Sequence, residues 1–314
     1  MAHAEDSKIP LPKVSGFLMP IYKWTNAPEG DDASADKGYS LKDAALYFSH
    51  DYKKVHVFVD LAFRSQTTTT ASGEPNNSFG FAKYSSQAFV NYKFTDSLEV
   101  TFGQFDTLLG FESNDGKDRF FIEGGLASNQ ALNTTETGAM LGYTLGDFKI
   151  QLVNANQNNE TAGYQNKASE SIVFLTYTKD WFHASSGFLT YKEPTTNKSF
   201  NIIEGVAGVD LGKLKVDVEF DSKKDPTQHI HSQFYSLFST YQLFDKFTLG
   251  LREEYAHNAS SKKSQVQHTL GFQYDESEVL SLKASYTFNH SAKDMQKTGR
   301  TNTQTVLAGL VYKF

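Results

Sequence analysis

From Lys213 to Asp221 the chain puts Leu214, Val216, Val218 and Phe220 on one side and Lys215, Asp217, Glu219 and Asp221 on the other. Successive side chains of a strand point to opposite faces, so such a segment separates an apolar face from a water-facing one. The pattern recurs along the whole chain: Val55, Val57, Val59, Leu61 and Phe63 share one face, as do Phe247, Leu249 and Leu251, and Leu280, Leu282, Ala284, Tyr286 and Phe288. The last strand does the same with Val306, Ala308, Leu310, Tyr312 and Phe314, and stops on an aromatic carboxy terminus. Strands with a lipid-facing outer side need an apolar residue at every second position and aromatics where hydrocarbon gives way to head groups.

No stretch of the 314 residues approaches the roughly 18 to 20 consecutive apolar residues of a spanning helix. A barrel hides its membrane signal by alternation, because polar lumen residues interleave with the lipid-facing ones. The 26 Phe and 16 Tyr against 7 Pro suit two aromatic girdles. Cysteine is absent, which leaves neither a disulfide framework nor a thiolate zinc site. A net charge of -6 without clustered Lys and Arg argues against nucleic acid as a partner.

Connections of two kinds alternate. Short turns fall at Asp51-Tyr52-Lys53, Thr95-Asp96-Ser97, Gly146-Asp147, Lys179-Asp180, Gly212-Lys213, Asp245-Lys246 and Asp275-Glu276-Ser277. Long polar stretches lie between them, at about Asn26 to Ser40, Ser65 to Ser78, Leu109 to Thr134, Asn156 to Lys167, Lys192 to Lys198, Ser222 to Gln228, Asn258 to Ser264 and Ser291 to Thr301. Nothing in the chain reads as a helix. The fold class is therefore all-β: a closed, transmembrane, antiparallel up-and-down barrel of about sixteen strands, with short periplasmic turns, long extracellular loops and both termini periplasmic. Residues 1–10 read as a flexible N-terminal segment and 11–314 as the barrel. The first strand is placed near Val14 to Thr25, and another near Ser171 to Thr178, where Ile172-Val173-Phe174-Leu175 hides the outward face. No apolar core of a signal peptide follows Met1, but Ala2-His3-Ala4 has the small-x-small form of a cleavage site; a mature start at Glu5 and an arbitrary leading sequence are equal readings. Aromatics beside the short turns, among them Tyr92, Phe94, Tyr143, Phe148, Tyr177, Trp181, Tyr241, Phe247 and Tyr274, form the expected periplasmic girdle.

The stretch Phe102-Gly103-Gln104-Phe105-Asp106-Thr107-Leu108-Leu109-Gly110-Phe111-Glu112, followed by Asn133-Thr134-Thr135-Glu136-Thr137-Gly138 and Val153-Asn154-Ala155-Asn156, resembles the OmpL-like β-barrel porin family. Gly103, Gly110, Glu112, Thr137 and Gly138 take the places of that family's Gly-x-Phe strand end, Gly-x-Glu segment and Thr-Gly pair. Leu108-Leu109 stands where a Pro is frequent, and Ala155 where a Gly follows the Asn. The resemblance implies an outer-membrane porin, a water-filled channel for small hydrophilic solutes and ions. A barrel of this width independently leaves an aqueous channel unless a loop or plug enters it. Two other readings remain open: a surface adhesin or structural barrel without transport, and an outer-membrane barrel hydrolase. Asp106, His231, His257 and many serines offer hydrolase chemistry, but no spacing selects a set, and the expectation is a non-enzyme without cofactor.

Leu109 to Thr134 is the longest connection and the natural one to fold inward; its Glu112, Asp115, Lys117, Asp118, Arg119 and Glu123 are the expected constriction. Alternation assigns Asp60, Glu99, Glu136, Glu204, Asp210, Asp217, Glu219 and Glu254 to the lumen, with Arg64, Lys93, Lys149, Lys215, Arg252 and Lys283 as basic counterparts. The slight acidic surplus predicts a weak preference for cations. His229-Ile230-His231 puts two imidazoles on one face, but exposed strand-end histidines usually hold no metal, and none is assigned. The partners expected are outer-membrane lipids and lipopolysaccharide, the outer-membrane assembly machinery reading Phe314, small hydrophilic solutes and two further copies in a homotrimer.

Overall fold

The structure, a computed structural model, describes residues 10–26, 37–69, 75–82, 86–113, 115–130, 135–159, 164–192, 197–225, 230–259, 263–292 and 300–314. The strands in chain order are β1 (Lys13–Asn26), β2 (Lys37–Tyr52), β3 (Val55–Thr69), β4 (Pro75–Phe81), β5 (Gln87–Lys93) and β6 (Leu98–Asp106). After a short helix α1 (Leu126–Gln130) come β7 (Thr135–Leu145), β8 (Phe148–Asn159), β9 (Tyr164–Lys179), β10 (Phe182–Lys192), β11 (Ser199–Asp210) and β12 (Leu214–Asp225). The chain ends with β13 (Ile230–Phe244), β14 (Phe247–Asn258), β15 (Lys263–Asp275), β16 (Leu280–Ala292) and β17 (Arg300–Lys313).

Each strand pairs antiparallel with its chain neighbour, and β1 closes the ring on β17, with Phe17 opposite Lys313 and Asn26 opposite Gln304. β4 and β5 both pair with β3, β4 along Phe63–Thr69 and β5 along Val55–Asp60. They are two lengths of one interrupted stave, so seventeen strands make a sixteen-stave barrel, the number read from the sequence. The strands placed near Val14 to Thr25 and Ser171 to Thr178 both exist: β1 covers the first, and β9 turns Ile172 and Phe174 inward while Val173 and Leu175 are exposed.

Alternation works as expected over most of the wall. Asp217 and Glu219 are buried while Val218 between them is exposed, and Arg252 and Glu254 are buried between exposed Leu251 and Tyr255. The turn-side aromatics sit together on the outside, where Tyr92 meets Phe94 at 4.9 Å and Phe148 meets Tyr177 at 4.8 Å between ring centres. Phe314 is built into the seam: its N–H donates to Gly16 O (3.0 Å) and its carbonyl accepts from Gly16 N (2.9 Å). A Cβ on residue 16 would lie 2.7 Å from the Phe314 ring, so only glycine admits the terminal aromatic there.

Four features depart from the sequence reading. A helix exists, α1, inside the longest connection. Strands run on into several stretches read as loops: β3 reaches Thr69, β4 starts at Pro75 and β9 at Tyr164, because polar residues continue a ladder above the membrane wherever the backbone can still pair. The inward face is not uniformly polar, since Phe17, Met19, Ile21, Leu307 and Val311 form one buried apolar patch inside the wall, and Ile172, Phe174, Leu189, Phe200 and Ile202 belong to another. The outward face carries an ionisable cross-strand pair, Glu253 on β14 bonded to His268 on β15. The N-terminal segment 1–10 lies, apart from Pro10, outside the described residues.

The inward-folded segment and the lumen wall

The two apolar patches inside the wall explain where the segment between β6 and β7 goes. A loop in water gains nothing from Leu108, Leu109, Phe111, Phe120, Phe121 and Ile122, whereas a loop laid across the lumen buries them. Leu109 packs into the patch of Phe105, Val153, Ile172, Phe174, Leu189 and Ile202. Ile122 docks on the other patch, against Phe17, Ile21 and Leu307. Between these anchors Phe111 meets Phe238 of β13 in a tilted contact at 4.7 Å between ring centres, and Leu126 and Ala127 of α1 pack on Phe234 and Ala256. Phe120 lies where a Cβ on Gly250 would fall, at 2.2 Å, so a bare backbone at that point of β14 makes the room.

The polar wall binds the backbone of the segment directly. Glu204 of β11 accepts from Gly110 N, and Glu219 of β12 accepts from Phe111 N at 3.0 Å. Asp43 of β2 accepts from Gly116 N at 3.1 Å, and Glu254 of β14 from Leu126 N at 2.6 Å. Lys283 of β16 donates to the carbonyls of Gly116 (3.3 Å), Lys117 (3.0 Å) and Arg119. Carboxylates thus hold the N–H groups of an irregular backbone and an ammonium holds its carbonyls, which satisfies groups that a buried loop otherwise leaves orphaned.

The centre is an ion network on Arg252. Its Nη1 donates to Glu112 Oε1 at 2.7 Å and to Glu123 O at 3.0 Å, its Nε pairs with Glu254 at 2.9 Å, and its guanidinium lies 4.7 Å from the Phe121 ring centre. Glu112 also accepts from Gly125 N, so one carboxylate clasps the two limbs of the segment. Gln267 completes Glu254 at 2.9 Å. On the far side the Tyr47 hydroxyl donates to Asp115 Oδ2 at 2.7 Å, and Lys117 lies 5.2 Å over the Tyr47 ring while pairing with Asp115 and Asp118. Glu123 meets Lys42 at 3.7 Å.

The residues singled out on the sequence thus fall into three groups. Glu112, Asp115, Lys117, Asp118, Arg119 and Glu123 all lie on the segment inside the barrel, with Asp118 half-exposed. Glu204, Glu219, Arg252, Glu254 and Lys283 are wall residues that hold it; Asp60 is fully buried, and Asp217 pairs with His183 at 2.7 Å. Lys93, Lys149 and Lys215 are solvent-facing, Lys149 pairing with Glu99 and Lys215 with Asp210, each at 2.8 Å. Asp43, Tyr47 and Phe238 were missed, because their partners are on the segment and their strands alone carry no sign of it. His231 lies exposed 3.4 Å from Ser222, and His229 is outside the described residues.

Space remains around the segment on the short-turn side. One cavity of about 410 Å³ is lined by Asp51, Lys53, Lys54, His56, Lys93, Glu99 and Lys149 among others. A second of about 260 Å³ lies between Phe111–Phe121 and Lys215, Asp217 and Thr240, and a third of about 400 Å³ between Asp115–Asp118 and Tyr47, Ser49 and Lys313.

No curated protein sequence matches the chain. Among solved structures it is similar to OprB of Pseudomonas putida at high pH, with a TM-score of 0.73 and 10% identity over 96% of this chain and 94% of that one. It is also similar to an anion-selective porin from Comamonas acidovorans, with a TM-score of 0.65 and 15% identity over 96% and 99%. The trimer form of in-vitro folded OmpT from Vibrio cholerae gives 0.59 and 13% over 97% and 100%. These likenesses establish the barrel fold, and the model of the family described as "Putative beta-barrel porin-2, OmpL-like" matches residues 13–314. The chain therefore belongs to that porin family and is a bacterial outer-membrane β-barrel, a channel for small solutes.

Proposed function

We propose a passive diffusion pore, without catalysis or cofactor, whose narrowest point is formed by the inward-folded segment between Leu109 and Thr134. The observation that carries this reading is the double anchoring of that segment, through Leu109 on one wall and Ile122 on the opposite apolar patch, with Glu112, Asp115, Lys117, Asp118, Arg119 and Glu123 between them. Charged groups at a constriction in a low-dielectric wall act strongly on a passing ion. Small hydrophilic solutes pass around the segment through the cavities on the short-turn side, which faces the periplasm, as do both termini. Deleting about ten residues around Gly116 removes the middle of the constriction, and single-channel conductance in planar bilayers is expected to rise. Unchanged conductance in a folded deletion variant takes the segment out of the pore.

For the sign of the selectivity we propose the opposite of the one counted on the sequence. Asp60, Glu204, Glu219 and Glu254 supply that acidic surplus, but all four are buried beneath or beside the segment and present no carboxylate to the open lumen. Around the 410 Å³ cavity Lys53, Lys54, Lys93 and Lys149 stand against Asp51 and Glu99. The pore we propose is weakly anion-preferring. The selectivity reported for the Comamonas porin has the same sign.

Assembly completes the proposal. The chain sits among outer-membrane lipids and lipopolysaccharide, is delivered by the outer-membrane assembly machinery through the Phe314 ending, and forms a homotrimer; the trimer form of OmpT, a barrel of the same fold, supports the last point.

A further inference from the structure

The antiparallel register sets Glu204 of β11 directly opposite Asp221 of β12, and Glu219 lies two residues from Asp221 on the same inward face. Like charges opposite one another destabilise a sheet pair, and here a third joins them. All three are buried, with one carboxylate oxygen of each within 4.8 Å of the others. Glu204 and Glu219 each commit one oxygen to the root of the inward-folded segment, at Gly110 N and Phe111 N. Asp221 is fully buried, and among the described residues no hydrogen-bond donor reaches either of its oxygens. Arg252 pairs with Glu112 and Glu254. A carboxylate removed from water with both oxygens unpartnered is among the costliest things a protein can bury, and it is found where something else supplies the partner.

We propose that Glu204, Glu219 and Asp221 bind one calcium ion beneath the root of the inward-folded segment. The three residues supply a hard donor set of carboxylate oxygens alone, which suits calcium or magnesium and not a soft metal. Calcium is the better match of the two, because it accepts six to eight oxygens in irregular geometry, whereas magnesium demands a near-regular octahedron that three side chains on two adjacent strands do not offer. Water from the lumen fills the remaining positions. Because the same glutamates hold Gly110 and Phe111, the ion fastens the segment to the wall by neutralising the carboxylates that carry it.

The test uses the full chain folded in detergent, stripped with a chelator and titrated with calcium chloride by calorimetry. One calcium ion per chain is expected, with a thermal unfolding midpoint that rises with calcium concentration. Asp221→Asn and Glu204→Gln are expected to weaken uptake at least tenfold while keeping the β circular-dichroism spectrum. No uptake by the wild type, preference for magnesium over calcium, or unchanged affinity in both variants would overturn the assignment. Should neither variant fold, the carboxylate infrared bands of the wild type decide: calcium-dependent shifts support the site, and unshifted bands sink it. None of these readouts passes through conductance, so the outcome stands apart from that of the pore experiment.

Discussion

A guanidinium with 1% of its side chain exposed is tolerable in a barrel wall only when its charge is answered, and Arg252 has the carboxylates of Glu112 and Glu254, with the Glu123 carbonyl beside them. Replacing Arg252 with Ala leaves two buried carboxylates without the guanidinium that lies between them. The expected loss is about 3–5 kcal/mol in denaturant unfolding, with protease cleavage appearing in the segment around Glu112. A second residue-scale expectation concerns the turn after β15, outside the membrane. The Tyr274 hydroxyl, donating to Glu276 at 2.7 Å, and then Lys246 hold the Glu276 carboxyl below the ordinary glutamate range. A depressed carboxylate contributes stability at pH above its unfolded value and loses it as pH falls through the lowered folded value. The protection factors for amide exchange at Lys246 and Glu276, whose turns are tied by Lys246 Nζ to Glu276 O (2.8 Å), should therefore be high at neutral pH and fall under acid; protection that does not change with pH would show that the contact carries no linkage. On the outer wall Glu253 and His268 answer one another, and neither was foreseen, because each occupies an outward position in an otherwise apolar run.

At the scale of a strand the decisive quantity is which face meets lipid. Val218 and Leu249 belong to the outward set, so Val218→Arg or Leu249→Arg is expected to cost roughly 2–4 kcal/mol where the residue lies near the membrane midplane. Lys215→Gln removes an exposed pair with Asp210 and is expected to cost little. Folding titrations in lipid separate the two classes, and equal tolerance at both would mean the faces are misassigned. Strand identity was legible because alternation is local, as along β12 from Leu214 to Asp221, while its end from Ser222 to Asp225 read as loop because the alternation stops there. The inward apolar patches were not: Leu307 and Val311 sit on the face that alternation makes polar, and their reason, Ile122, lies far away in sequence. The helix α1 escaped for a related cause, since five residues contain too little periodicity to register and are stabilised by Phe234 and Ala256 of other strands.

Over the whole molecule, selectivity depends on which charges the open lumen exposes. Lys93→Glu combined with Lys149→Glu reverses the balance around the short-turn cavity, and the reversal potential in a potassium chloride gradient is expected to move toward cations. A wild-type channel that already prefers cations, or a double variant that leaves the potential unchanged, would remove these lysines from the conduction path. What the amino-acid sequence determined by itself is the set of properties that repeat: period-two faces, alternating short and long connections, the sixteen-stave barrel and the aromatic ending that Gly16 receives. Each rests on neighbours in the chain or on a solvent, lipid or water, that acts on every strand alike. Only the tertiary structure decided what fills the barrel. Glu204, Glu219, Arg252 and Lys283 read equally well as lumen charges open to water and as anchors, and the choice was made by a segment on another part of the chain whose backbone needed partners. Once that segment lay inside, the same carboxylates changed from groups that face an ion to groups that hold a loop, because burial removed the water that would have screened them.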